Sequence, residues 1–470
     1  MTESIISNPE PIANITPLVT LRAMIAILNS LCDGAQAKDK KGFNKVDAKA
    51  GRKLYTKIML DKKWICGEVQ QACNLAVKYS GQLPQYGYNA SKVVEAVRME
   101  VGQVSDLIGL VGPLSTFRSP DGVGYVQIQT AMRQDVVPLT SLAFERWISQ
   151  QYYEVFGVVP KKGDIDDAVR AMIGAAVNDG QERSVFTRVG EHEGRICIDL
   201  CNDRGQCVEV TKDGWSVLDE SPVAFVRSDH MKSLPVPEKG GQIDQLRPFL
   251  NIESEGHFRL IVAWMAYSLQ AAGPFPILTL RGEQGCGKST MAQVIRSLVD
   301  PSSAPLVSPP KNEEGLVITA KHSWVVAFDN LSRISDMFSD QLCRLATGGS
   351  FQARKLYTDS ELLTISIRRP CILNGIDEVV GREDLRNRCI VVDVPMLHDA
   401  NRRTGSEFWH EFDKVRPALF CCLLDGLSTA LRNRANVHLA SKPRMADFVV
   451  AATAVESAFG WEPGSLLQAL

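Results

Sequence analysis

The stretch Gly282-Glu283-Gln284-Gly285-Cys286-Gly287-Lys288-Ser289, with Thr290 after it, constrains this chain more than any other feature. It satisfies the pattern G-x-x-x-x-G-K-[ST] at every fixed place. An apolar run, Ile277 to Leu280, precedes it, and a helix-patterned segment, Met291 to Val299, follows. Glycines allow the torsions that turn successive backbone N–H groups toward one point, and a helix starting there adds its positive end. Strand, loop and helix together make a cradle for phosphate. Gly282 to Thr290 are therefore the expected nucleotide-binding residues, with ATP and Mg²⁺ as ligands. Lys288 is expected to reach the β and γ oxygens, and Ser289 to place its hydroxyl on the metal.

The residues downstream extend the pattern. Trp324 to Phe328 reads as a second buried strand ending in Asp329, the place for the acid that orders Mg²⁺. The next residue is Asn330, which can orient a water but cannot take its proton. Asp336 and Asp340 lie nearby, with nothing to choose between them. A third strand, Cys371 to Leu373, ends in Asn374, whose amide suits a water or a γ-phosphate oxygen. A fourth, Cys389 to Val394, closes the set. Buried strands alternating with helices predict an α/β sheet covered on both faces over residues 242–400. Residues 401–470 read as helical. The stretch Ser465 to Leu470 shows no clear cap, so truncation is expected there.

The N-terminal half is less specific. Residues 1–17 form a polar leader, 18–110 a helical module, 111–230 a small α+β domain and 231–241 a linker. Leu18 to Leu31 and Glu68 to Tyr79 carry helical spacing. Ser141 to Phe156 and Asp164 to Val177 do so again, with Asp164 as the expected N-cap. Short strands follow at Ser184 to Val189, Arg195 to Leu200, Cys207 to Val210 and Trp215 to Leu218, with Asp-Gly-type turns between them. Ser228 to Gly241 holds the prolines and glycines of a linker. Cys197, Cys201 and Cys207 with His192 suggest zinc, but their spacing fits no standard site and ICIDLC alternates as a strand does. Strand packing is the expected role.

Composition excludes some classes. With 45% hydrophobic and 23% charged residues the chain is an ordinary globular protein, and a formal net charge of -2 supplies no global field for nucleic acid. The start is no signal peptide, and the longest apolar stretch, Leu260 to Leu269, is too short to span a bilayer. A cytoplasmic protein without membrane contact is expected, its cysteines reduced.

At this point a resemblance enters. The order of the phosphate loop, Phe328-Asp329-Asn330, the Asn374-Gly375 strand end and Gly381-Arg382-Glu383-Asp384-Leu385-Arg386-Asn387-Arg388 resembles the AAA+ core. The last stretch is similar to the arginine box of Clp-type unfoldases, which makes Arg388 the expected arginine finger, with Arg382 and Arg386 behind it. Such a residue acts on a γ-phosphate held by a neighbouring subunit, so the resemblance implies a ring, a hexamer above all. Arg444, in Lys442 to Phe448, is the expected sensor over the γ-phosphate. More narrowly, Leu345 to Ser350 and Ala353 to Tyr357 resemble the helicase part of phage and poxvirus primase–helicases in superfamily 3, and ATPases of mobile elements. For those ATPases the resemblance reaches Gly42 to Gly51, Lys78 to Pro84, Ala143 to Gly157 and Asp213 to Asp219.

One departure matters. In superfamily 3 a basic hairpin tip grips DNA, whereas the turn here, Thr358 to Glu361, is acidic and repels a phosphate backbone. Arg354 and Lys355 stand on the incoming strand, and Arg368 and Arg369 on the returning one are the alternative contacts. The pair Asp164 and Asp166 sits at a helix start, so capping is expected there and not priming. The basic residues Lys38, Lys40, Lys41 and Lys45, Arg402 and Arg403, and Arg432 and Arg434 read as solvated. The first expectation is a ring-forming ATPase acting on DNA as a helicase or replication ATPase of a phage or mobile element. The rival is an AAA+ ATPase that acts on a protein partner through its N-terminal half, or serves as a nucleotide-gated sensor. A small-molecule kinase explains neither the arginine box nor the N-terminal half.

Overall fold

The structure is a computed structural model that describes residues 17–31, 42–44, 47–60, 66–100, 103–112, 116–130, 132–354, 362–375, 381–397, 403–439 and 444–470. The acidic turn 358–361, Lys355, Arg402 and the basic residues Lys38, Lys40, Lys41 and Lys45 lie outside that set. The polypeptide divides into two compact units: residues 1–128 with 137–182, and residues 129–136 with 183–470.

The first unit is mainly helical. Its helices are α1 (Pro17–Ser30), α2 (Ala48–Met59), α3 (Cys66–Lys78), α4 (Ala90–Glu100) and α5 (Gln103–Val111). Strands β1 (Thr116–Arg118) and β2 (Gly124–Gln129) follow, then β3 (Gln134–Pro138), whose first three residues belong to the second unit, and α6 (Leu142–Phe156) and α7 (Lys162–Asn178). Two segments noted for kinship, Gly42 to Gly51 and Lys78 to Pro84, turn out to pack on each other. Phe43 meets Tyr79 edge to face at 5.4 Å, and the Tyr79 hydroxyl donates to Asp47 at 2.6 Å. Gly51 must be glycine, because a Cβ there would lie 2.1 Å from the Phe43 ring. Asp164 is not an N-cap: α7 begins at Lys162, and Asp164 lies inside its first turn, where its charge complements the helix dipole.

In the second unit the chain first forms β4 (Val185–Phe186), β5 (Val189–His192), β6 (Arg195–Asp199), β7 (Cys207–Thr211), β8 (Gly214–Leu218) and β9 (Ala224–Phe225). Strands β5 to β8 make an antiparallel sheet in sequence order. Val189, Ile196, Ile198, Val208 and Val210 share one core with Trp264, Leu278 and Phe420. These strands are thus built onto the C-terminal part, and the division falls near residue 183, not at 230. Residues 231–241 are no free linker either. Leu234 is buried, its N–H reaches the Leu200 carbonyl, and a Cβ on Gly241 would meet that of Ala418 at 2.6 Å.

The remaining elements are α8 (Glu255–Ser268), β10 (Ile277–Arg281), α9 (Lys288–Val299), α10 (Glu313–His322), β11 (Val326–Leu331), α11 (Asp336–Thr347), β12 (Ser350–Arg354), β13 (Leu362–Ser366), β14 (Cys371–Gly375), α12 (Glu383–Arg386), β15 (Cys389–Asp393), α13 (Gly405–Asn433), α14 (Ala446–Val455) and α15 (Ser465–Ala469). A parallel sheet runs in the order β11-β14-β10-β15. Its residues alternate between two cores: Leu278, Leu280, Ile372 and Val392 face one, Ile277, Phe328, Cys371 and Leu373 the other. That alternation is why both faces of these strands are apolar. The indole of Trp264 on α8 is fully buried and donates to the Pro276 carbonyl at 2.7 Å, which fixes the approach to β10. Among the described residues no helix is long and apolar enough to cross a membrane.

Candidate functional site

Helix α9 begins at Lys288, and Gly287, at φ 88°, is its N-cap; Gly285 is left-handed too, at φ 86°. The loop closes tightly at its start, where a Cβ on Gly282 would stand 2.5 Å from the Val394 carbonyl oxygen. So the glycines of the motif answer to positive φ at two places and to close backbone approach at a third. The Lys288 ammonium donates to the carbonyls of Gly282 and Glu283, 2.7 Å each, and so lies across the mouth of the loop. Cys286 is buried, with its sulfur 3.6 Å from that ammonium.

The parallel sheet brings two further side chains to this end, Asp329 and Asn374. Asp329 receives the Ser289 hydroxyl at 3.0 and 3.2 Å. Asn374, at the end of the adjacent strand β14, donates its amide to Asp329 at 3.2 Å, and its own carbonyl oxygen is buried with no partner. A cavity of about 600 Å³ is lined by Gln284, Gly285, Gly287, Lys288, Ser289, Thr290, Asp329, Asn330 and Asn374 among others. A hydroxyl and a carboxylate side by side are an oxygen donor set of the kind a hard divalent cation takes. Residues 282–290, Asp329 and Asn374, far apart in sequence, thus meet at one sheet end.

The backbone after Asp329 is unusual. The register slips between Phe328 and Leu331, and Asn330 takes φ 58°. Asparagine tolerates this left-handed state better than glutamate does. Neither Asp336 nor Asp340 lines the cavity; Asp340 pairs with Arg382 at 2.8 Å. Asp329 is the one acid among the described residues that line it.

Arg388 and Arg444 are placed elsewhere. The Arg388 carbonyl accepts from the N–H of Ile277, at the start of β10, whereas the phosphate loop follows its other end. Arg388 is ion-paired with Asp384, and Arg444 reaches the same oxygen of that carboxylate at 2.7 Å. Arg444, the expected sensor over the γ-phosphate, thus pairs with Asp384 and is not among the residues that line the phosphate cavity. Arg368 and Arg369 are also spent differently than expected. Arg368 donates to the Gly273 carbonyl at 2.8 Å, and Arg369 to those of Ala320 and Ser323 at 2.8 and 3.0 Å. Burial pushes the Arg369 guanidinium down to about 10. Arg403 pairs with Glu411, and Arg432 donates to the Lys212 carbonyl.

The zinc alternative is not supported. Burial pushes the Cys197 thiol up to about 12 and the Cys207 thiol up to about 11. Both pack with Val223 and Phe225 instead, and among the described residues no cluster of three metal-ligating side chains exists.

Sequence reasoning missed Asn251. Its amide donates to the Cys286 carbonyl at 2.9 Å and to the Pro395 carbonyl at 2.6 Å, stapling the back of the phosphate loop to the segment after β15. No local signal marks it, since its two partners lie 35 and 144 residues away. A second cavity, of about 380 Å³, adjoins the loop and is lined by Glu253, His257, Arg281, Gly282, Glu283 and Met396 among others.

Residues 243–468 match the family of actinomycete integrative conjugative element replication proteins. This match agrees, over those residues, with the resemblance to replication ATPases of mobile elements expected from the sequence. Among solved structures the chain is similar to the apo C-terminal region of NrS-1, at 13% identity and a TM-score of 0.38, covering 73% of this chain and 71% of that one. It is also similar to the JCV helicase, at 13% identity and a TM-score of 0.26, covering 44% of this chain and 66% of that one. No curated protein matches it.

Proposed function

We propose that this protein is a Mg²⁺-dependent ATPase of the AAA+ type that works as a ring on DNA during replication of a mobile element. The observation that carries the reading is the convergence of Lys288, Ser289, Asp329 and Asn374 at one end of the parallel sheet, around a glycine loop that begins a helix. The family match over residues 243–468 supports the replication setting.

The roles follow from the geometry. The loop N–H groups from Gly285 to Thr290 would hold the phosphates, and the Lys288 ammonium would exchange the Gly282 and Glu283 carbonyls for phosphate oxygens. Ser289 and Asp329 would hold Mg²⁺, which when bound neutralises charge on the β and γ oxygens. The unpartnered oxygen of Asn374 would accept from the attacking water and orient it. Asn330 supplies no base, so hydrolysis is expected to be slow in the free subunit. Arg388, at the opposite edge of the sheet, would serve a neighbour's γ-phosphate in a closed ring.

The test is ATP hydrolysis by the purified protein, alone and with single-stranded or duplex DNA, beside Lys288→Ala and Arg388→Ala. DNA-stimulated hydrolysis lost in both variants supports the motor. Hydrolysis indifferent to DNA, with ATP still promoting assembly, favours action on a protein partner instead.

A further inference from the structure

Asp384 gathers two arginines that sequence reasoning assigned to opposite tasks. A single oxygen of its carboxylate accepts from Arg388 and from Arg444, the latter at 2.7 Å. The pairing with Arg388 foremost, and the nearby charge of Arg444, hold the Asp384 carboxyl below the usual range. Arg444 is the more open of the two side chains, 48% exposed against 15% for Arg388.

Their position excludes the loop of the same subunit. Arg388 is level with Ile277 at the first residue of β10, and the loop starts beyond Arg281 at the last. Four strand steps separate these ends by about 13 Å, beyond the reach of a guanidinium already bent back to Asp384. Arg444 is at the same edge. Phe448 on α14 packs against Tyr267, and Tyr267 against Phe275, two residues before β10 begins. Arg444 is also not among the residues around the phosphate cavity.

Two guanidiniums converging on one anionic oxygen form a ready receptor for a phosphate oxygen, with Asp384 standing in for it. We propose that Arg444 acts together with Arg388 on the phosphates held by a neighbouring copy of this chain, and that Asp384 is the positioning carboxylate that keeps the pair together. The inference rests on the ring-ATPase reading above. It assigns the γ-phosphate sensed by Arg444 to the neighbouring subunit.

Subunit mixing tests it. Lys288→Ala has a defective loop but intact arginines, and Arg444→Ala the reverse. Each alone is expected to hydrolyse little ATP. In an equal mixture, roughly a quarter of heterologous interfaces pair an intact loop with an intact Arg444, so hydrolysis should return to about that share of wild type. Arg388→Ala mixed with Lys288→Ala is the reference, and Asp384→Ala mixed with Lys288→Ala should recover likewise. Arg444→Lys, which keeps the charge, guards against misfolding and should complement in the same way. Recovery with Arg388→Ala but none with either Arg444 variant overturns the proposal and leaves the ring reading standing, as does full activity of Arg444→Ala alone. A wild-type protein that hydrolyses no ATP, or a reference mixture that does not recover, brings down the ring reading and this proposal with it.

Discussion

Asp300 gives the sharpest test of how the second unit holds its phosphate site. One carboxylate oxygen accepts from Arg188 at 2.9 Å, and the other from the backbone N–H groups of Trp324 and Val325 at 2.9 Å each. Arg296 stands 3.7 Å away, and every side chain in this ion cluster is at least 97% buried. Arg188 also donates to the carbonyls of Asp199 and Lys232, and Asp199 is gripped by Arg227. Asp300 therefore ties three things together: the C-cap of α9, whose first turn holds the phosphate loop; the entry to β11, which carries Asp329; and the antiparallel sheet. Replacing Asp300 by Ala leaves Arg188 as a buried charge without its partner and two strand N–H groups without acceptors. Removing one member of a buried pair costs about 3–5 kcal/mol. At about 2 °C per kcal/mol for a unit of this size, the melting temperature should fall by roughly 6–10 °C. Urea unfolding followed by far-UV circular dichroism measures the free-energy loss, and a thermal scan the melting temperature. Pairing Asp300→Leu with Arg188→Met should restore part of the loss, because Arg188 is then no longer an unpaired charge, whereas Arg296 and the two strand N–H groups stay without their partner. A loss below about 1 kcal/mol for Asp300→Ala would refute the reasoning, since the cluster would then be accessible to water.

Three further predictions concern the loop, the catalytic strand and the thiols. Gly282→Ala forces a methyl against the Val394 carbonyl at 2.5 Å, so ATP affinity should drop at least about tenfold and stability by about 1–3 kcal/mol; titration with a fluorescent ATP analogue reads the first, and unchanged affinity sinks the close-approach argument. Asn330→Glu should not speed hydrolysis and should cost about 1 kcal/mol, because the left-handed backbone at φ 58° disfavours the new side chain. A several-fold gain in kcat would show that the side chain alone, and not the backbone, limits this position. Cys197 and Cys207 have folded pKa values raised by burial to about 12 and 11, so their contribution to stability is complete below pH 9 and is lost as pH rises through those values. Between pH 9 and 11 the unfolded chain releases the protons first, and stability should decline by roughly 1.4 kcal/mol per pH unit for each thiol. Urea midpoints for wild type and Cys197→Ala across that range check this; identical slopes would contradict it.

The local features of the phosphate site were legible in the sequence because they are local in origin. Positive φ at Gly285 and Gly287, the start of α9 and the strand before it all depend on residues within one short window. Asp329 and Asn374 could be picked out as strand ends, because a buried parallel strand is a nearly continuous apolar run that stops at its first polar residue. What the sequence by itself could not decide was pairing between distant segments. That Asp329, Asn374 and Ser289 share hydrogen bonds follows from the strand order β11-β14-β10, which no single strand encodes. Asn251 reads as an ordinary loop residue until the fold sets Cys286 and Pro395 beside it. Arg368 and Arg369 carry the composition of a nucleic-acid contact, and only tertiary packing shows their guanidiniums bound to backbone carbonyls. The same holds for Arg444. Its charge was evident from the sequence, but the partner that receives it, Asp384, lies sixty residues away. A charged side chain several ångströms long takes its role from the fold around it, whereas a glycine torsion is fixed by the chain on either side.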